Sequence, residues 1–216
     1  MQCGNSACRY TAYRERLAVR SFLKTQEETL KMTVHPPEID TDRLLLRQLS
    51  LKDAPAMYSY RSDPKIMCYQ TWHPSNEKEV AAFIRKNGRT AFNTVDTWFQ
   101  LGVYLQATQE LIGDLGIHFL PVENRQVEIG FTIGPAHQHK GYATEAVSHL
   151  LDYVLGRLGK HRVIASVDPA NAGSIRLLER IGMRKEAHFR KSIWNGKDWA
   201  DDIIYALLEK EWTANK

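Results

Sequence analysis

Residues 127–167 constrain the fold most. There a strand-like run, a small-residue loop, an amphipathic helix and a second strand follow one another. The first run is VEIGFTI (127–133) and the last is RVIASV (162–167). Between them Ala146, Val147, Leu150, Leu151, Val154 and Leu158 recur on one helical face, and Gly156 and Gly159 mark its end. This is the single strand–helix–strand crossover evident in the chain. A doubly wound dinucleotide-binding fold repeats that unit and is therefore disfavoured.

The elements on either side favour a meandering sheet. TDRLLLRQL (41–49) alternates as a half-buried strand. Ser50 and Asp53 are N-cap candidates for a helix over 53–62, which Asp63-Pro64 ends. A second helix fits 76–92 with apolar Val80, Ala81, Phe83 and Ile84. WFQLGVYL (98–105) and ELIGDLGIHFL (110–120) read as an antiparallel hairpin. After the crossover, Asp168-Pro169 turns the chain, and Asn171 can cap a helix carrying Ile175, Leu178 and Ile181 that Gly182 stops. Asn195-Gly196 is a hairpin signal between HFRKSIW and DDIIYALL. The order β, α, α, β, β, β, α, β, α, β, β predicts an α+β (mixed α/β) domain.

With 43% hydrophobic and 25% charged residues, the 216-residue chain has material for one globular core. A net charge of +4 suits an anionic ligand and is too mild to indicate nucleic acid. No apolar run approaches the roughly 20 residues of a membrane span. Cys3, Cys8 and Cys68 show no C-x-x-C spacing, so neither a disulfide framework nor a metal site is indicated and a reducing, cytoplasmic setting is expected. Cys68 is expected to be a partly buried, inert thiol. Residues 1–38 read as an N-terminal extension of unknown role, within which Met32 could serve as an internal start. The domain is expected over 39–216, after His35-Pro36-Pro37 breaks any helix.

The loop of the crossover is GPAHQHK, followed by GYATEAV at the helix start. A helix N-terminus offers unpaired N–H groups and a positive dipole end, and small residues let an anion approach them. Gly141 and Ala143 remove bulk while His139 and Lys140 add positive charge, so a pyrophosphate would fit. A plain turn with Gly141 left-handed explains the same residues. The loop lacks the G-x-x-x-x-G-K-[ST] pattern of nucleotide triphosphatases.

Gln138-His139-Lys140-Gly141-Tyr142-Ala143 resembles the Q/R-x-x-G-x-G/A signature of the GNAT family, the Gcn5-related N-acetyltransferases. The element order is that family's order, and TDRLLLR, IGFTIGP and NAGSIRLLERIGM resemble its RimJ/RimL-like branch. The resemblance covers about residues 39–212. It implies a GNAT fold, with a mostly antiparallel sheet of six or seven strands splayed at its centre. It also implies an enzyme that takes acetyl-CoA as co-substrate, without a metal, and lets a primary amine attack directly in a ternary complex.

Carried onto this chain, the resemblance puts the pyrophosphate on the backbone of Gln138, His139, Lys140, Gly141, Tyr142, Ala143 and Thr144. The pantetheine would pair with the strand backbone at Phe131, Thr132 and Ile133. Asn171 and Ser174 match the branch's N-x-x-S, and the tyrosine that many members use as acid is absent, since Leu177 and Leu178 stand there. Ser174 is then the candidate acid or thiolate partner. Glu128 and Glu186 are the candidate bases. Trp72, His73, Trp98, Trp194 and Tyr205 are candidates for the acceptor pocket. The acceptor implied is a protein N-terminal α-amine. Aminoglycosides, polyamines or amino acids are the alternative, and Glu77, Glu79, Asp96 and Asp114 could line an acidic pocket for them. A catalytically idle CoA-binding module is a third reading. A homodimer is common in the resembled family, and no interface signature is visible in the sequence.

Overall fold

The computed structural model describes residues 36–214, except 71, 195 and 197. Expectations for residues 1–35, including Cys3, Cys8 and Met32, and for Asn195 lie outside the described residues. No described helix is long and apolar enough to cross a membrane.

The strands are β1 (Ile39–Asp40), β2 (Leu44–Gln48), β3 (Thr97–Leu105), β4 (Leu111–Phe119), β5 (Gln126–Ile133), β6 (Arg162–Val167), β7 (Arg184–Trp194) and β8 (Trp199–Leu208). They form one sheet in the order β1-β2-β3-β4-β5-β6-β8-β7. This is seven long strands plus the two-residue β1 at one edge. Every neighbouring pair is antiparallel except β5 and β6. That pair is joined by the crossover read from the sequence, as parallel strands require.

The helices are α1 (Ala54–Arg61), α2 (Pro64–Met67), α3 (Glu77–Gly88), α4 (Tyr142–Leu151), α5 (Ala172–Arg180) and α6 (Glu209–Ala214). Asp63-Pro64 ends α1 and also begins α2. Asp63 accepts a hydrogen bond from the Lys65 N–H at 2.8 Å, and Pro64, which needs no donor there, takes the first helical position.

Strand alternation sorts the sheet into two faces. Tyr104 and Leu111 pack against Met57 and Tyr60 of α1 and Val80 and Ile84 of α3. The opposite face buries Phe99, Leu115, Ile129 and Val163 together with Ala146, Val147, Leu150, Leu151 and Val154 of the crossover. Leu158, expected on that stripe, is only half-buried. Past Leu151 the helix widens into a π-helical stretch over Asp152–Arg157 and closes at Gly159, whose φ is +63°.

β5 and β6 are paired at only three positions, Gln126↔Arg162, Val127↔Val163 and Glu128↔Ile164. Beyond Glu128 the two strands separate. The β6-facing edge of residues 129–133 is left without a strand partner, at the end of β5 that feeds the loop.

Candidate active site

A cavity of about 430 Å³ lies where β5 and β6 separate. Phe131, Thr132 and Ile133 line it from β5, Gln138, His139, Gly141, Tyr142, Ala143 and Thr144 from the loop, and Asn171 and Ser174 from the start of α5. Of the residues expected to hold the cofactor, only Lys140 is not on its wall. Ile66, Tyr69 and Gln70, from α2 and the residues after it, close the cavity on a third side and were not anticipated. No motif marks them. Cys68, in the same segment, is exposed rather than partly buried.

The loop is shaped for an anion. His139 and Gly141 have φ of +61° and +83°, while Lys140 between them does not. Such alternation turns successive N–H groups toward one side, as in a backbone nest. The first helical hydrogen bond of α4 runs from the Glu145 N–H to the Gly141 carbonyl, at 3.1 Å, so the helix itself supplies no acceptor to the N–H groups of residues 142–144. Gln138 points back instead, donating its amide to the Ile133 carbonyl at 2.9 Å and tying the loop to the end of β5.

The TDRLLLR segment braces this loop. Arg43 donates to the Lys140 carbonyl at 3.0 Å and to the Glu145 carboxylate at 2.7 Å, and its guanidinium lies over the Tyr142 ring at 4.6 Å. Thr41 adds a 2.5 Å bond to the same carboxylate. Two motifs about a hundred residues apart are therefore one device, and no local pattern marks their contact.

Asn171 caps α5 by accepting the Ser174 N–H at 3.0 Å. Because the bond is to the backbone, the Ser174 hydroxyl stays available, and no other described residue engages it.

The candidate bases separate. Glu186 is gripped by Arg162, at 3.1 and 2.5 Å, and by Arg184, at 2.5 Å, at the end of β6 away from the cavity. Those hydrogen bonds, the one from Arg162 foremost, hold its carboxyl below the ordinary range. A carboxylate so stabilised is a poor proton acceptor at neutral pH. Glu128 sits at the point where the strands part. Burial pushes its carboxyl up; the neighbouring His118 opposes this and the Asp202 carboxylate adds to it, leaving a net rise. Asp202 is 8% exposed and accepts the Ser166 hydroxyl at 2.6 Å. Register puts Glu128, Ser166 and Asp202 on one sheet face. Gly130 also lies on it, and nothing lies within 4 Å of where a Gly130 side chain would start.

The acceptor candidates do not converge. Tyr205 faces the other way: it is buried, and its hydroxyl donates to Glu179 of α5 at 3.0 Å. Trp72 stacks on Phe83 with ring centres 4.4 Å apart. His73 is within 2.9 Å of the Met67 and Gln70 carbonyls, at the end of α2. Trp194 is exposed near the tip of the β7–β8 hairpin against Trp199. Of these, Trp98 alone shares the row of Glu128, stacked on His118, which stands between them. The four expected acidic residues also disperse. Asp114 is fully buried and neutralised by Arg61, and Glu79 accepts the Ser75 N–H at the start of α3. Glu77 lies in the first turn of that helix, and Asp96 alone approaches the Glu128 row.

Comparison with known proteins bears on this geometry. Residues 43–184 match the family model described as Acetyltransferase (GNAT) domain. The uncharacterized N-acetyltransferase YnaD of Bacillus subtilis is 37% identical over 174 residues, covering 81% of this chain and 98% of that protein. A crystal structure of a GNAT-family acetyltransferase from Bacillus anthracis superposes with a TM-score of 0.73 at 35% identity, covering 81% of this chain and all of that one. More distantly, the ribosomal protein uS5-alanine N-acetyltransferase of Escherichia coli is 24% identical, covering 82% of this chain and 94% of that protein.

Proposed function

We propose, from the premise that this chain belongs to the GNAT acetyltransferase family and is an N-acetyltransferase, that it passes the acetyl group of acetyl-CoA directly to a primary amine in a ternary complex. The domain responsible is taken as residues 39–216, and no role is assigned to 1–38. The observation that carries the donor assignment is the cavity at the parted strands, with an anion-shaped loop on one wall and an unpaired strand edge on another. In this reading the backbone of residues 138–144 holds the pyrophosphate and His139 and Lys140 add charge at the rim. The edge at Phe131, Thr132 and Ile133 pairs with the pantetheine amides. An N–H of that edge stabilises the thioester oxygen as it gains charge. Ser174 donates to the departing thiolate, and Glu128 takes the proton of the attacking amine.

The acceptor we favour is a protein N-terminal α-amine. The RimJ/RimL-like motifs support it, as do two exposed aromatic side chains on the sheet face of Glu128: Trp98, and Phe189, which pairs with Asp202 in register. An α-amine has an ordinary pKa near 8 and needs only modest help to become nucleophilic at neutral pH. One observation favours a second reading, a small polycationic amine: Glu128 and Asp202 place two carboxylates on that same face. Thiol release from acetyl-CoA, measured across peptides, polyamines and aminoglycosides, separates the two. Turnover confined to peptides supports the first reading, and turnover confined to polyamines replaces it with the second.

Two substitutions test the donor side. In Gly141→Val a β-branched residue would have to hold φ of +83°, with its Cβ 3.3 Å from the Arg43 guanidinium. Strain of about 1–3 kcal/mol would shift the loop, and acetyl-CoA should bind about tenfold or more weakly by calorimetry while circular dichroism is unchanged. Affinity within about twofold of the parent would end the loop assignment. Ser174→Ala keeps the Asn171 cap, since the capped group is backbone. Its kcat should fall on the order of tenfold or more with acetyl-CoA affinity intact. A kcat close to the parent's would remove the acid role.

A further inference from the structure

His118 is absorbed by neither the fold nor the proposed chemistry. It lies on β4 directly opposite Glu128 of β5 and opposite Trp98 of β3. Its ring is stacked on Trp98, 4.9 Å between centres and 12° from parallel, which fixes the plane of the imidazole. A carboxylate stands near each of its two nitrogens. Nδ1 is 3.7 Å from Glu128 Oε2, and Nε2 is 3.5 Å from Asp96 Oδ1. The three groups form a row whose outer end is the most exposed: the side chain of Glu128 is 26% exposed, that of His118 20% and that of Asp96 75%. The row runs from the parting of the strands to open solvent. Asp96 is held at its outer end in a left-handed conformation, φ +58°, with its N–H bonded to the Phe119 carbonyl at 2.7 Å.

We propose that Asp96, His118 and Glu128 form a relay that carries the acceptor's proton out of the site, with His118 positioning Glu128 and resetting it after each turnover. The proposal rests on Glu128 being the base. The Glu128 carboxylate takes a proton from the acceptor nitrogen as that nitrogen bonds to the acetyl carbon and the carbon–sulfur bond breaks. The resulting carboxylic acid gives its proton to His118 Nδ1. The imidazolium releases the proton on Nε2 to Asp96, from which water removes it, and exchange with water returns the neutral ring to its starting tautomer. Glu128 and Asp96 finish ionised, and no oxidant or further reactant is needed. The direction of the path follows from the groups around Glu128. The charged groups around it are His118 from β4 and Asp202 from β8, and the second can only hinder loss of its proton. A row that served packing alone would need the Trp98 stack but not a carboxylate at each nitrogen.

The contact and its use are tested separately. In an NMR titration of the His118 imidazole nitrogens, Glu128→Gln should move the midpoint by about half a unit or more, because it removes a carboxylate 3.7 Å from Nδ1. This arm does not depend on turnover. In the kinetic arm, His118→Ala should lower kcat about tenfold with acetyl-CoA affinity unchanged, and added imidazole should restore part of it. Asp96→Asn, at an exposed residue whose conformation asparagine tolerates, should lower kcat about twofold or more and shift the pH profile. A His118 midpoint unmoved by Glu128→Gln overturns the relay. So does parental kcat in Asp96→Asn together with failure of imidazole to restore His118→Ala. A parent protein that releases no thiol with any amine defeats the acceptor reading instead, while the titration still decides the His118–Glu128 contact.

Discussion

Asp114→Ala is expected to lower stability by about 3–5 kcal/mol, the usual result of leaving a buried charge without its partner. Asp114 is fully buried, and its carboxylate collects the Tyr60 hydroxyl at 2.6 Å, the Arg61 Nε at 3.1 Å, the Gln100 amide at 2.5 Å and a second, still closer, contact from Arg61. Removing it strands Arg61, itself buried, against the sheet. For a domain of this size the melting temperature should fall by about 10 °C. A double variant, Asp114→Leu with Arg61→Met, should recover much of the loss, since well-packed apolar side chains replace buried ion pairs at little cost. Equal melting temperatures for the single and double variants would show that the loss is one of packing and not of charge. There is a functional consequence as well. Arg61 also donates to the Gln70 side chain at 2.7 Å, and Gln70 lines the cavity, so the double variant should still bind acetyl-CoA more weakly than the parent in calorimetry.

Glu128→Gln is expected to reduce kcat/KM by roughly a hundredfold or more at neutral pH, the typical contribution of a positioned base. Burial, aided by Asp202 and opposed by His118, raises the Glu128 carboxyl above the ordinary value. The parent rate should therefore rise with pH through a limb above the usual carboxylate range, and that limb should vanish in the variant. Stability should move the other way. A carboxyl whose folded pKa is raised binds its proton more readily in the folded than in the unfolded chain. The folded state is thus favoured at pH below that window and loses this contribution as pH rises through it. Glutamine has no proton to lose, so the variant should be at least as stable as the parent at pH 7. Activity lost without stability lost marks Glu128 as a working group. Loss of both in proportion would mark it as structural.

Gln126–Ile133 and Arg162–Val167 lie where period predicts them, because each buries one face, and the crossover helix starts at Tyr142 as expected but passes at Asp152 into a π-helical stretch before closing at Gly159. Asn171 and Gly182 bound α5 as expected. The donor side was legible because it is built from consecutive backbone, where small residues and a helix start leave a local signature. The acceptor side was not. Tyr205 and Glu128 stand on strands of the same sheet, yet register turns Tyr205 toward α5 and Glu128 toward the open face. A one-residue difference in pairing decides this, and it cannot be read from either strand alone. Asp114, a candidate for an acidic acceptor pocket, is instead buried and paired with Arg61, because the sheet carries it beneath α1.

The sequence by itself determined the order of the longer elements, the single crossover and the small-residue loop, because hydrophobic period, capping and turn chemistry act within a few residues; the short β1, α2 and α6 were not read from it. Only the tertiary structure decided that Thr41 and Arg43 brace that loop, that arginines hold Glu186, and that Glu128 meets His118 and Asp202. Those contacts join residues up to about a hundred positions apart, and their distances are set by how strands register and where β5 and β6 part. Charge and hydrogen bonding at the site depend on those separations, and no local pattern in the chain encodes them.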